Sequence, residues 1–313
     1  MRKAIMFATL FFAGVAFFPF ISAFARQNIS GSNLPITTVV TVLGPDFSAP
    51  PAIPKEDIIV YSGKNREEVT SWIPAQGDKA GLQLAILVDD SDSPTSIGSH
   101  FTELRNFITS QPSSSQVGVF YAANGAADAV SEFSADHEAV AQKIRLPLGR
   151  RSSDSPSVYL SLQDLAKHWP LNGMRHEILV IASGVDHLYP GFEDPYFASA
   201  LKTLQTAGVV VYTIYVGGPG LARAGLRVDI AQSNLTQLAG GTGGEPFFQG
   251  LETPVDFGPI LRDLDMALKN QYLLTFTTPR SEKKSGEVRE IQVRVEQRKV
   301  KLHYAKEVFV PGV

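Results

Sequence analysis

The sequence predicts an α/β fold, in which a doubly wound, mostly parallel sheet adjoins a small β module built from both chain ends. Three observations predict it. From Leu82 to about Asn270, apolar runs alternate with helical periodicity, the pattern of parallel strands joined by helices. Strand-type sequence occupies residues 36–74 and returns at 271–310. Neither end carries enough strands for independent stability, so pairing the two ends completes both.

The chain has 313 residues, 44% hydrophobic and 19% charged, with a formal charge of −3. This composition supports a sizeable core. It offers no basic field for nucleic acid. There is no cysteine, which excludes disulfides, zinc–thiolate sites and a thiol nucleophile.

Met1-Arg2-Lys3 precedes an uncharged run from Ala4 to Ile21, and Ala23-x-Ala25 follows just before Arg26. Basic start, apolar run and small-x-small site are the parts of a signal peptide. Residues 1–25 are expected to be removed after Ala25, giving a secreted or periplasmic protein. If the segment is kept, the run is near the lower limit for spanning a bilayer and would hold the chain at a membrane. Residues 26–35 read as a linker, 36–80 as the first part of the β module, 81–270 as the α/β domain and 271–313 as the second part of the module.

Within the module, "ITTVVTVLG" (36–44) is a β-branched strand, and 57–74 reads as two strands turning at Ser62-Gly63-Lys64-Asn65. The central sheet is expected from Leu82–Val88, Val117–Ala122, Glu177–Ala182, Val209–Val216 and Pro246–Phe248. Between these runs, Ile97, Phe101, Leu104 and Ile108 share one helical face, as do Val158, Leu162 and Leu165. Phe197, Leu201 and Leu204 repeat the pattern, and Phe257, Leu261, Leu264 and Leu268 close it. Gly240–Gly244 reads as a helix stop plus turn. The C-terminal strands are expected at 271–279, 289–297 and 300–310, with a turn at Lys283–Gly286 between the first two.

Where "LAILVDDSDS" leaves the first central strand, Asp89, Ser91 and Ser93 place one carboxylate and two hydroxyls on alternate positions. In an open α/β sheet, ligands bind outside the carboxyl ends of the strands. Oxygen-only ligands suit a hard cation such as Mg²⁺ or Mn²⁺. The same three side chains also suit a simpler task, bonding loop backbone and capping the next helix. Both readings stand on the residues alone.

Here the chain resembles a von Willebrand factor type A domain, which is Rossmann-like, and Asp89–Ser93 looks like the first loop of its metal-ion-dependent adhesion site. "IPKEDIIVYSGKNREEVTSW", "LTQLAGGTGGEPFF" and "NQYLLTFTTP" resemble further landmarks of the bacterial, acidobacterial-type VWFA-related proteins. The resemblance implies a weak Mg or Mn site at the sheet's carboxyl end and a protein partner. It also implies two more loops, where this sequence departs. Pro156 stands where the family has threonine, so Ser155 or Ser157 would have to substitute. Ser183 stands where the family has aspartate before Gly184, and the nearest carboxylate is Asp186. The expected metal site is therefore a degraded one.

No enzyme is expected. Ile181-Ala182-Ser183-Gly184-Val185 lacks the first glycine of a nucleophile elbow. Ser281-x-x-Lys284 falls in a charged turn without a helix to position it, and the six histidines show no metal spacing. The leading expectation is an exported binding or adhesion-type module that meets a protein partner through the loops around 89–93, 153–157 and 183–187. Tyr189, Phe192, Tyr196 and Phe197 supply aromatic types favoured at interfaces. The alternative is a structural or assembly component of the cell envelope with no discrete ligand site.

Overall fold

In the computed structural model, residues 33–149, 156–170, 172–189, 193–217 and 225–312 are described. The expected signal peptide, its cleavage site and Ser155 and Phe192 lie outside the described residues. Two sheets organise the rest.

The chain enters through β1 (Asn33–Leu43), which takes in the last three residues of the expected linker, and continues into β2 (Ile58–Ser62) and β3 (Asn65–Pro74). The α/β part begins with β4 (Leu82–Asp89), α1 (Pro94–Ile97), α2 (Phe101–Thr109) and β5 (Ser115–Ala123). Then come β6 (Ala126–Ser134), α3 (His137–Ala141), α4 (Val158–His168), β7 (Arg175–Ala182) and α5 (Pro195–Ala207). β8 (Val210–Tyr215), α6 (Leu226–Thr242), β9 (Pro246–Phe247) and α7 (Gly258–Lys269) complete it. β10 (Gln271–Pro279), β11 (Glu287–Val295), β12 (Lys301–Tyr304) and β13 (Glu307–Val310) end the chain.

The central sheet runs β6-β5-β4-β7-β8-β9. All its pairings are parallel except that of β6. β4 is buried on both faces along its whole length, which is why it reads as a mostly apolar run, interrupted by Gln83 and closed by Asp89. Its Leu84, Ile86 and Val88 join a core with α2, α3 and α7. Ala85 and Leu87 join the opposite core, with α4, α5 and α6. Helices on both faces make the sheet doubly wound.

Edge strand β6 has no counterpart in the sequence reading. "AADAVSEFS" carries two charges, Asp128 and Glu132, and is only half-buried, and its pairing with β5 shifts register twice. Charges and bulges of this kind protect a sheet edge and also hide it from pattern reading.

The second sheet joins strands from both chain ends in the antiparallel order β12-β1-β10-β3-β2-β11-β13. The expected single strand at 300–310 is two, because the chain turns a corner at Ala305-Lys306. β12 pairs with β1 at one edge and β13 with β11 at the other. The two edges are thus consecutive in sequence, and the sheet bends round its own core of Ile36, Val40, Val60, Phe276 and Val293.

Gln271, the first residue of β10, fastens the two sheets. Its Nε2 donates to Glu177 (3.0 Å), Tyr212 (3.1 Å) and Thr41 (3.4 Å), and its Oε1 accepts from Arg175. Arg175 also pairs with Glu177 at 3.2 Å. Burial pushes the Glu177 carboxyl upward, against the pull of Arg175.

Candidate functional site

The loops after β4, before α4 and after β7 meet at the carboxyl end of the central sheet. Each is built around one short-range device. At the end of β4, Asp89 Oδ1 accepts from the Ser91 N–H (2.9 Å) and the Ser91 hydroxyl (2.6 Å). Ser93 caps α1, accepting from Thr95 N–H at 3.4 Å, and Pro94 occupies the first helical turn. Ser157 caps α4, accepting from Leu160 N–H. After β7, Gly184 has φ +71°, and a Cβ there would lie 2.8 Å from Leu235 and 3.1 Å from the Ala231 carbonyl. Only glycine meets both conditions.

The loops are then cross-linked by carboxylates. Asp92 Oδ2 accepts from Ser183 N–H at 2.9 Å, tying the first loop to the third. The Ser157 hydroxyl donates to Asp186 Oδ2 at 2.6 Å, tying the second to the third. Asp186 Oδ1 accepts from the N–H groups of Leu188 (2.6 Å) and Tyr189 (3.1 Å). Ser183 supplies a hydroxyl that accepts from Val185 N–H at 3.4 Å.

Electrostatics follow from crowding. Burial, reinforced by the charges of Asp90 and Asp186, pushes the Asp89 carboxyl up to about 6, despite the Ser91 hydrogen bonds that favour the ion. Burial and the charge of Asp89 raise Asp92 well above the carboxylate range. Asp194, which caps α5, is raised by burial and by Asp186.

The structure thus brings Asp89, Ser91, Ser93, Ser157, Ser183 and Asp186 into one loop cluster, but turns them to one another and to backbone. Asp89 Oδ1, Asp92 Oδ2 and both Asp186 oxygens already accept N–H or O–H groups of the chain. Among the described residues, no three His, Cys, Asp or Glu side chains are placed to hold a metal ion. A hard divalent cation needs about six oxygens directed at one point, and this arrangement does not fit one.

Sequence reasoning missed a second anchor. Asp90, between the expected ligands, receives a two-pronged hydrogen bond from Arg145 at 2.7 and 2.9 Å and accepts from Leu148 N–H at 2.9 Å. The Arg145 guanidinium lies 3.8 Å from the centre of the Tyr121 ring. Arg145 N–H donates to the Tyr121 hydroxyl, which in turn donates to the Arg145 carbonyl. The segment Arg145–Gly149 is irregular yet firmly held, and it presents Leu146 and Leu148 outward, Leu148 at 59% exposure. An arginine 55 residues from its aspartate leaves no local pattern to find.

Other exposed apolar side chains share this end of the molecule. Leu188 and Tyr189 follow Asp186, and Leu226 opens α6. Phe248, Leu251 and Val255 lie in the connection from β9 to α7, and Val255 is 91% exposed. Of nine large exposed apolar residues among those described, only Ile73 lies elsewhere, so the exposure is localised and not the usual scatter. Of the aromatic residues expected at this surface, Tyr196 and Phe197 are instead partly buried against the core, Phe197 edge-on to Tyr159 at 5.6 Å. Tyr189 remains exposed.

No family model and no curated protein matches the chain. Among solved structures, it is similar to an aerotolerance-related membrane protein from Bacteroides fragilis with multiple mutations to serines, at 15% identity over 60% of this chain and 98% of that one (TM-score 0.43). It is similar to the conserved hypothetical protein BatB from Bacteroides thetaiotaomicron at 18% identity over 44% and 67% (TM-score 0.34). A third likeness is to the SpRpn10 VWA domain, at 13% identity over 57% and 93% (TM-score 0.36). What the segment from β4 to α7 itself shows is a six-stranded, mostly parallel sheet with one antiparallel edge strand and helices on both faces.

Proposed function

We propose that the protein is an exported binding module that recognises a protein partner through the loops at the carboxyl end of its central sheet. The observation that carries this reading is the gathering of exposed apolar side chains at that end. Large apolar residues collected on one face mark an interaction surface, and aromatic and apolar anchors dominate binding energy at such surfaces. The anchoring of Leu146 and Leu148 by Asp90, Arg145 and Tyr121 supports it further. A loop held rigid loses little freedom on binding.

The metal-ion-dependent site is degraded in this reading, and recognition does not route through a cation. Ser183 replaces a charge with a hydroxyl, and Asp186 is engaged by Ser157 and backbone. No enzymatic step is assigned to these loops. Export rests on the N-terminal pattern of residues 1–25.

Replacing Leu148 and Tyr189 together by serine tests the reading. Exposed positions of this kind change stability by about 0.5 kcal/mol or less, so the variant should melt like the parent. Its retention of partner protein from an extract of the exporting host should fall sharply. Undiminished retention would refute the proposed surface.

A further inference from the structure

β1 is paired with β10 along Asn33–Thr41, but β12 covers its other side only at Val40–Leu43. Among the described residues, the stretch 33–39 of β1 is therefore a free edge. Which main-chain groups face outward follows from the register. Val42 N–H donates to the Asn270 carbonyl, on the β10 side, at 2.9 Å, and bonding directions alternate along an antiparallel strand. Ile36, Thr38 and Val40 thus bond toward β10, while Thr37 turns both its N–H and its C=O outward. Pro35 turns out a carbonyl and Val39 an N–H. Other edges of the molecule are blunted. β6 carries Asp128 and Glu132, β9 has two residues, and β12 and β13 have four each. β1, eleven residues of sequence NLPITTVVTVL, carries no charge, and Pro35 is its one guard against pairing.

Two cavities flank this edge. One, of about 560 Å³, is lined by Thr37, Thr38 and Val39 with Leu273, Met174 and Lys79 among others. The second, of about 200 Å³, is lined by the same three residues with Ile36, Val209 and Val308 among others. Leu273 is the cross-strand neighbour of Val39, whereas Ile36 belongs to the module's own core, so the cavities lie toward opposite faces of the strand. We propose that this edge receives an extended segment of another protein, which adds to the sheet as a strand beside Pro35–Val39. Thr37 offers a donor and an acceptor, and Pro35 and Val39 offer one group each about 6.8 Å away, the period of an extended main chain. Successive side chains of such a guest point to opposite faces, so each cavity takes one, and the apolar walls select aliphatic residues. Ala207 and Gly208, at the end of α5, line both cavities. They leave room for one strand beside β1 and none for the edge of a second folded copy. Gly81, Arg175 and Val210, where β4, β7 and β8 begin, also line them. The site is thus at the amino end of the central sheet, away from the carboxyl-end loops, and it stands independently of their reading. Three strand spacings, about 14 Å, separate the guest from β3.

The test uses the peptide acetyl-KVTVTVK-amide as probe. Its control is the same peptide N-methylated at the five central residues, which keeps the side chains and removes the main-chain donors. Amide resonances of Thr37 and Val39 report binding to the full chain by NMR. The probe should shift them saturably and slow hydrogen exchange at Thr37 at least tenfold, and the control should bind about tenfold more weakly. Thr37→Pro removes the outward N–H and leaves the β10 side intact, a position where proline is tolerated. It should melt like the parent and bind the probe no better than the control binds the parent. Thr37→Val, which keeps the main chain, should bind the probe as the parent does. Equal binding of the two peptides, or binding of neither, overturns the proposal. So does undiminished binding by a folded Thr37→Pro variant. Should that variant fail to fold, the comparison of the two peptides on the parent decides. Slow exchange at Thr37 before any peptide is added also overturns it, since the edge is then already covered, by a second copy if dilution restores fast exchange and by this chain if it does not. The Leu148 and Tyr189 serine variant should bind the probe like the parent, and loss of binding there would place the peptide at the carboxyl-end loops instead.

Discussion

Asp89→Asn is the most informative single change, because its effect must depend on pH in a direction the structure fixes. Burial pushes the Asp89 carboxyl up to about 6 in the folded protein, against about 3.9 for an unperturbed aspartate. The difference is roughly 2 units, and at about 1.36 kcal/mol per unit it amounts to about 3 kcal/mol. A raised carboxyl holds its proton in the native state after the unfolded chain has released it. Its contribution to stability is therefore fully present below about pH 4 and is lost as pH rises through about 6. Asparagine keeps the oxygen that accepts from Ser91 and never ionises. Urea unfolding of both proteins between pH 4 and 7 should show the asparagine variant gaining about 3 kcal/mol relative to the parent across that window. A flat difference would mean that burial and the neighbouring charges do not act on Asp89 as described. A difference of opposite sign, growing with added Mg²⁺, would mean that a cation holds the carboxylate ionised, and the metal-free account would fail.

Four further outcomes follow from the same geometry. Arg145→Ala removes both prongs on Asp90 and the stacking on Tyr121. With 35% of the arginine side chain exposed, the loss should be about 2 kcal/mol, below that of a fully buried pair, together with faster amide exchange at Leu146 and Leu148. Millimolar Mg²⁺ or Mn²⁺ should barely move the melting temperature of the parent, whereas a site with a Kd near 10 µM would add about 2.7 kcal/mol at 1 mM. Pro156→Thr with Ser183→Asp should create a metal-dependent shift that Asp89→Ala abolishes. Deleting residues 300–313 removes both β12 and β13, uncovers β1 and β11 at once, and should yield aggregates by light scattering where the full chain gives none.

What the sequence disclosed and what it hid divide along physical lines. β4 and β7 were legible because a parallel strand buried on both faces is largely apolar, as Leu84–Val88 and Ile178–Ala182 are. β10 was found at its observed bounds, since Gln271 and Pro279 bracket a β-branched and aromatic run. The pairing of the chain ends was legible as a need for partners. The corner at Ala305-Lys306 was not, because "VKLHYAKEVFV" shows no Gly or Pro where it turns. α6 was implied by its glycine stop but not placed. It carries Gly240 and Gly241 inside its last turn and ends at Gly243, whose φ is +93°, and polar residues such as Asn234 and Thr242 are buried along it. At the site, the loops' positions and the helix caps were readable from local spacing. The bonds from Asp90 to Arg145, Asp92 to Ser183 and Asp186 to Ser157 join distant segments, and only the fold brings them together.

The central claim is that this protein meets its partner at the carboxyl end of the central sheet. Site-resolved photo-cross-linking tests it most directly. A photoreactive residue placed in turn at Leu148, Tyr189, Val255 and Ile73 samples three positions of that end and one on β3. In the exporting host, the first three should yield one common cross-linked protein and Ile73 none. Cross-linking at Ile73 alone, or equally at all four positions, would contradict the account.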